Sequence, residues 1–328
     1  MLDQRGTGCS TPVGTLPGRD AQQQAEYLRH FRADAIVRDA EWIRRELGVE
    51  RWSVLGQSFG GFCVTTYLSF APEGLREAFL TGGLPPVARP IDDVYGHTYE
   101  RVLERNRRYY ARYPEDRERV RELRGRLDQE DVRLPNGDRL TGRRLRQLGA
   151  QLGMSDGAEK LHFILELPLD APAFLHDVEA ATRFARNPIY AAVHEGCYAD
   201  GGVTSWSAER LLPDAYDEAP ELLTGEHVYP WMFEDHAALV PLREAANILA
   251  EHDWPPLYDA ERLAANEVPA AAAIYAEDMY VERVFSEETG ARIRGLRPWV
   301  TSEYEHNGLR ADGGRILGRL IDLARGRA

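Results

Sequence analysis

Lysine is nearly absent from this chain: of its 40 basic residues only Lys160 is a lysine, so almost every positive charge is an arginine, a composition bias. Those basic residues are outnumbered by 53 acidic ones, and the formal net charge of −13 argues against a surface for nucleic acid or an anionic membrane. Cysteine is scarce. Cys9, Cys63 and Cys197 are far apart and odd in number, which excludes a disulfide framework and a cysteine metal cluster and suggests a reducing, cytoplasmic setting. Long apolar runs are missing as well. No stretch approaches the length needed to span a bilayer, and Met1-Leu2-Asp3-Gln4-Arg5 has the composition of no apolar signal region. There is no internal repeat and no long low-complexity tract, and no metal or organic cofactor is indicated.

What is present is enough apolar material for a large core: 43% of 328 residues are hydrophobic, suiting one large domain or a core domain carrying an insertion. The chain is organised around Gly56-Gln57-Ser58-Phe59-Gly60-Gly61, which joins a short apolar run, Trp52-Ser53-Val54-Leu55, to a helix-like stretch from Phe62 to Phe70. Gly-x-Ser-x-Gly between a strand and a helix is the nucleophile elbow, where small residues let the turn lift a serine hydroxyl above the sheet edge. Ser58 is the candidate nucleophile. The backbone N–H of Phe59, at the start of the helix, is the candidate donor to a developing oxyanion.

Residues 3 to 20 read as loop, and Asp20 to Leu47 as one helix ending at Gly48. A second strand, Glu77 to Thr81, follows the elbow helix and stops at Gly82-Gly83-Leu84-Pro85-Pro86. Strand, helix, strand with short connections predicts parallel strands joined by right-handed crossovers, hence an α/β fold. From Arg89 to Asp253 the strand signal nearly vanishes and helices dominate: Val94 to Tyr113, Glu115 to Leu127, Thr141 to Leu152, Ala171 to Arg186, Ile189 to Tyr198 and His236 to His252. Val132 to Leu140 is expected as a small hairpin on an Asn136-Gly137 type I′ turn. The arginines from Arg101 to Arg126 are interleaved with acids and read as a solvated helix face. Strand character returns at Val268 to Ala276 and Arg297 to Ser302, and a last helix runs from Asp312 to Arg325. The expected division is 1–88 first part of the core, 89–253 helical insertion, 254–328 second part of the core.

In an elbow hydrolase the triad follows the chain order Ser, then Asp or Glu, then His. Only His306 of nine histidines lies beyond the strand ending at Ala276, and Asp278 is the one aspartate between them; Glu277 is a weaker substitute. His306 would take the Ser58 proton and return it to the leaving amine, while Asp278 fixes the imidazole tautomer.

Asp3-Gln4-Arg5-Gly6-Thr7-Gly8, Gly56-Gln57-Ser58-Phe59-Gly60-Gly61, Gly82-Gly83-Leu84-Pro85-Pro86 and Glu305-His306-Asn307-Gly308-Leu309-Arg310 together resemble the prolyl aminopeptidase (proline iminopeptidase) family of α/β-hydrolases, over essentially the whole chain. The resemblance implies an α/β-hydrolase fold with a helical cap, and release of N-terminal proline from peptides. It also implies that cap glutamates read the free amine. On the matching stretches these would be Glu195 and Glu226, then Glu234, while Trp231 and Phe233 are expected either as walls of a proline pocket or as apolar packing inside the cap. A carboxylate in an aromatic cap can hold an ammonium by a charge-assisted hydrogen bond. The family's His-Gly-Gly-Pro-Gly-like segment has no counterpart upstream of Asp3. The first four strands of the fold are therefore expected to be missing, along with half of the oxyanion hole. Two rival readings follow: an esterase or amidase of other specificity, or a non-catalytic hydrolase relic.

Overall fold

The computed structural model describes residues 2–328. Its centre is a four-stranded sheet, β1 (Trp52–Gln57), β2 (Leu75–Thr81), β3 (Ala270–Tyr275) and β4 (Arg297–Thr301), all parallel and in that spatial order. Parallel strands need helices on both faces, and the sequence supplies them. On one face Val37, Val64 and Leu68 pack on Leu80, Ala272 and Ile274. They come from α2 (Ala33–Glu46) and α3 (Phe59–Phe70). On the other face Ile316 and Leu320 of the helix Gly313–Ala324 cover Phe79, Ala271, Ala273 and Tyr275. The alanines of β3, buried throughout, let helices approach closely on both sides. β1 is an edge strand, and its Leu55 is 42% exposed.

Because all four strands run the same way, their carboxyl ends share one rim, where an open α/β sheet places its chemistry. Between β2 and β3 the described residues form helices and turns: α4 (Ile91–Arg112), α5 (Pro114–Gln129), α6 (Gly142–Arg146), α7 (Gly157–Leu165), α8 (Pro172–Thr182), α9 (Ile189–Tyr198) and further short helices up to Arg243–Ala250. Two apolar clusters hold this region, one around Tyr99, Tyr229 and Trp254, the other around Tyr109, Leu148 and Phe174.

Local readings needed correction where a tertiary contact overrides propensity. The single helix expected over Asp20–Leu47 is two, α1 (Ala21–Leu28) and α2, broken at Arg32 (φ −87°, ψ 175°). The Arg32 guanidinium is buried, donates to Ala199 O at 2.6 Å and Pro255 O at 3.1 Å, and lies over the Trp254 ring. An unbroken helix would carry it elsewhere. At 132–140 the turn is not type I′, since only Gly137 (φ 88°) takes the left-handed region; Gly137 N–H donates to Leu134 O across Pro135-Asn136. The helices expected over Ala171–Arg186 and His236–His252 stop at Thr182 and start at Arg243, while that over Thr141–Leu152 tightens to a 3₁₀ turn from Gln147.

Candidate active site

Ser58 sits between β1 and α3 with φ 53° and ψ −125°, outside the regions an L-residue prefers. Glycine makes the strained turn possible. A Cβ on Gly56 would fall 2.1 Å from Gly60 O, and one on Gly61 2.3 Å from Gly83 O. The turn is tied down by Ser58 N–H donating to Thr81 O at 3.0 Å and Gly61 N–H to Ser58 O at 2.7 Å. Ser58 does not cap α3 with its side chain. Phe59 N–H, in the first turn of α3, has no acceptor among the described residues, which leaves it available to a ligand at the helix N-terminus.

Asp278 and His306 are brought together from the ends of β3 and β4. His306 Nδ1 lies 2.7 Å from Asp278 Oδ2, with the two side chains 7% and 1% exposed. The other carboxylate oxygen accepts from Tyr280 N–H at 2.9 Å and Val281 N–H at 3.0 Å, so Asp278 is fixed by backbone and can orient the imidazole with Nδ1 protonated. Burial lowers the His306 pKa, but the charge and hydrogen bond of Asp278 outweigh it and the net shift is upward. Glu277 is turned away, 2.7 Å from Arg108 Nη1. Elbow and histidine loop are linked, since Gln57 Nε2 donates to His306 O at 3.2 Å.

A cavity of about 110 Å³ opens on Ser58 and Phe59, and its walls include Phe62, Tyr190, His194 and Glu226. Its volume is far below the roughly 300 Å³ at which drug-sized pockets begin, so it suits a small group. Tyr190 OH donates to Glu226 Oε1 at 2.6 Å, and His194 Nε2 is 3.1 Å from Glu226 O. Thus Ser58, Phe59 and Glu226 share one cavity.

The other expected contacts stand elsewhere. Glu195 is 6% exposed and turned to the next loop, where Oε1 accepts from Ala208 N–H at 3.0 Å while Oε2 has no partner. Burial, only partly offset by its hydrogen bonds, raises its pKa to about 7. Glu234 lies outside, 3.2 Å from Arg143 Nη2; Trp231 stacks on Tyr229 beneath Arg143; Phe233 is buried edge-on to Trp206. None of these four lines the Ser58 cavity.

Sequence reading missed the groups that brace the histidine loop. Arg105 of α4 donates to Glu305 at 2.9 Å and to Glu277 O at 2.5 Å, clamping the residues just before His306 and Asp278. Ser155 donates to Asn307 Oδ1 through N–H at 2.9 Å and Oγ at 2.7 Å. The Tyr280 ring stands 4.6 Å from the imidazole. Arg105 could not be singled out from a run of alternating charges, because its partners are about 170 to 200 residues away. Among the described residues no group of three or more His, Cys, Asp or Glu is placed to hold a metal ion, and no helix is long and apolar enough to cross a membrane.

The family described as alpha/beta hydrolase fold matches residues 1–215. A proline iminopeptidase from Aeromonas sobria is 50% identical over 341 aligned positions, spanning 99% of this chain and 80% of that protein. The proline iminopeptidase aneH of Aspergillus aculeatus is 34% identical, spanning 98% and 77%. Among solved structures, a thermophilic esterase from Thermogutta terrifontis superposes with a TM-score of 0.41 and 14% identity, covering 99% of this chain and 78% of that one. On its fold, its elbow and these identities over nearly all of its residues, the chain belongs to the proline iminopeptidase family of α/β-hydrolases.

Proposed function

We propose that this protein is a serine aminopeptidase that removes N-terminal proline from peptides, with residues 89–253 forming a helical cap over the rim of the sheet. The observation that carries the reading is the shared cavity: a strained serine, an unsatisfied backbone N–H and a carboxylate held by Tyr190 face the same small space. A prolyl residue presents three matching features, a carbonyl to attack, an oxygen that becomes negative, and a secondary ammonium nearby.

In the proposed cycle Ser58 Oγ attacks the scissile carbonyl carbon and His306 Nε2 accepts the hydroxyl proton, while Asp278 stabilises the resulting imidazolium. The carbonyl π pair moves onto oxygen, where Phe59 N–H donates to it. Collapse of the tetrahedral intermediate breaks the C–N bond, and the His306 proton goes to the leaving nitrogen. Water then attacks the prolyl ester with His306 as base, releasing proline and restoring Ser58.

Glu226 is the proposed reader of the substrate amine. The buried Tyr95 phenol has no hydrogen-bond partner, and burial first, then the charge of Glu195 and also that of Glu226, push its pKa well up. Three free thiols suit the cytoplasm we propose for it.

The test compares hydrolysis of proline β-naphthylamide, its N-acetyl derivative and p-nitrophenyl acetate. Hydrolysis of the free prolyl amide, lost on acetylation and on Ser58→Ala, is expected. Preference for the acetate ester with indifference to acetylation would replace the peptidase reading by an esterase one.

A further inference from the structure

A second cavity, of 340 Å³, adjoins the Ser58 cavity and shares Asn187, Tyr190 and Glu226 with it. Its remaining wall comes from the end of α8, the 3₁₀ turn that follows α6 and the 225–228 segment, and from the stretch between α8 and α9, which contributes Arg183 and Arg186. Neither guanidinium has a hydrogen bond or ion pair among the described residues. The next pair of arginines along the cap is different, with Arg143 held by Asp235 at 2.6 Å and Arg144 by Asp138 at 2.9 Å.

Charge points to the ligand. The lining holds two arginines against one carboxylate, Glu226, which already accepts from Tyr190. His227 adds no charge, since burial lowers its pKa to about 3. A cavity with surplus positive charge, in a chain of formal net charge −13, is locally complementary to an anion. Paired guanidiniums match a carboxylate in particular, because their planar N–H groups meet its two oxygens in a fork.

We propose that this cavity receives the leaving side of the substrate, and that Arg183 and Arg186 bind the terminal carboxylate of a short prolyl peptide. The inference rests on the aminopeptidase reading. With the prolyl amine at Glu226 and its carbonyl at Ser58, the chain beyond the scissile bond passes the shared wall of Asn187 and Tyr190. Each further residue adds at most about 3.3–3.6 Å. Dipeptides and tripeptides with a free carboxylate are then the preferred substrates, because a carboxylate carried far from the scissile bond cannot lie in this cavity.

The experiment compares kcat/KM for Pro-Gly, Pro-Gly-amide and Pro-Asp-amide in the full chain and in Arg183→Gln/Arg186→Gln. Both arginines are exposed loop residues, so the variant is expected to fold and to hydrolyse proline β-naphthylamide as the parent does. Pro-Gly should exceed its amide by about 5- to 30-fold in the parent, a modest factor suited to exposed charges, and by less than about 2-fold in the variant. Molar salt should shrink the parent's preference. Equal rates for Pro-Gly and its amide, alongside normal hydrolysis of the naphthylamide, would overturn the carboxylate site and leave the aminopeptidase reading intact. A gain confined to Pro-Asp-amide would overturn the terminal-carboxylate assignment in favour of a side-chain one. If no prolyl substrate is turned over, the aminopeptidase reading falls. Calorimetric titration with Pro-Gly and its amide then decides the site: arginine-dependent preference for the free carboxylate supports it, and equal or absent binding of both overturns it.

Discussion

The rim of the sheet and the helical region facing it hold their ionisable groups in opposite ways. At the rim, Asp278 is fixed by two backbone N–H groups, and His306 by Asp278 and the Gln57 amide. In the helical region Glu226 is oriented by one phenol, and Glu195 by a single backbone N–H, its other oxygen buried with no partner. A group fixed by backbone cannot reorient without local unfolding, whereas one held by a single side chain can. Asp278 is therefore held more firmly than Glu226, as the proposed division between chemistry and amine recognition requires.

The strongest way to break this contrast is Asp278→Asn. An asparagine keeps the shape of the site but removes the charge that stabilises the imidazolium and can present the wrong tautomer partner to Nδ1. A fall in kcat of about 10⁴-fold is expected. The pH profile gives an independent check. His306 must be neutral to act as base, and its pKa is raised, so parent activity should be lost as pH falls through a value above about 6.5. In the variant burial is opposed only by the more distant charge of Glu226, and the acid limb should move to lower pH. The raised pKa also stabilises the fold, an increment fully present below about pH 6.5 and lost as pH rises through the folded-state value. An acid limb in the same place in both proteins would remove Asp278 from its role.

Glu226→Gln should have the next largest effect. Loss of the charge opposite the substrate ammonium is expected to cost about 2 kcal/mol, roughly 30-fold in kcat/KM, the low end for such pairs because Glu226 is only half-buried. The N-acetylated substrate should show almost no change between parent and variant. Tyr190→Phe should show the same pattern more weakly, since it loosens the carboxylate without removing it. Equal losses on free and blocked substrates would indicate damage to the cavity and not to amine recognition.

The same contrast explains what could be read from the sequence. The elbow was legible because its demands are local: Gly56 and Gly61, where a side chain would meet backbone, around Ser58, between an apolar run and a helix. Asp278 and His306 followed from chain order and from their positions after strands. The α/β class followed from β1, β2, β3 and β4, each found within a few residues of its expected place. The helical region offered no such rule. Which of three glutamates faces the cavity depends on how α9 and the segment 224–234 pack, while Arg105's partners and the break at Arg32 are set by other contacts far along the chain. Nothing in the spacing of Glu195 distinguishes a helix face turned to the 207–208 turn from one turned to Ser58.

Glu195→Gln should give the smallest effect, and it separates a carboxylate that costs the fold something from one that is well paired. The Glu195 pKa rises from 4.5 to about 7 on folding, mainly because burial penalises the charged form. Between those values the native state holds a proton that the unfolded chain has released, so stability falls as pH rises through that window and stays low above it. A shift of this size corresponds to at most about 3 kcal/mol, and relaxation around the unpaired Oε2 should reduce it to about 1–2 kcal/mol. Glutamine cannot ionise, and its carbonyl can still accept from Ala208 N–H. Urea unfolding at pH 4.5 should find the two proteins nearly equal, or the parent slightly ahead. At pH 8 the variant should lead by about 1–2 kcal/mol. Parallel stability curves across that range would mean that Glu195 pays no penalty for its charge, and that a cation or a reorientation toward the Ser58 cavity already compensates it.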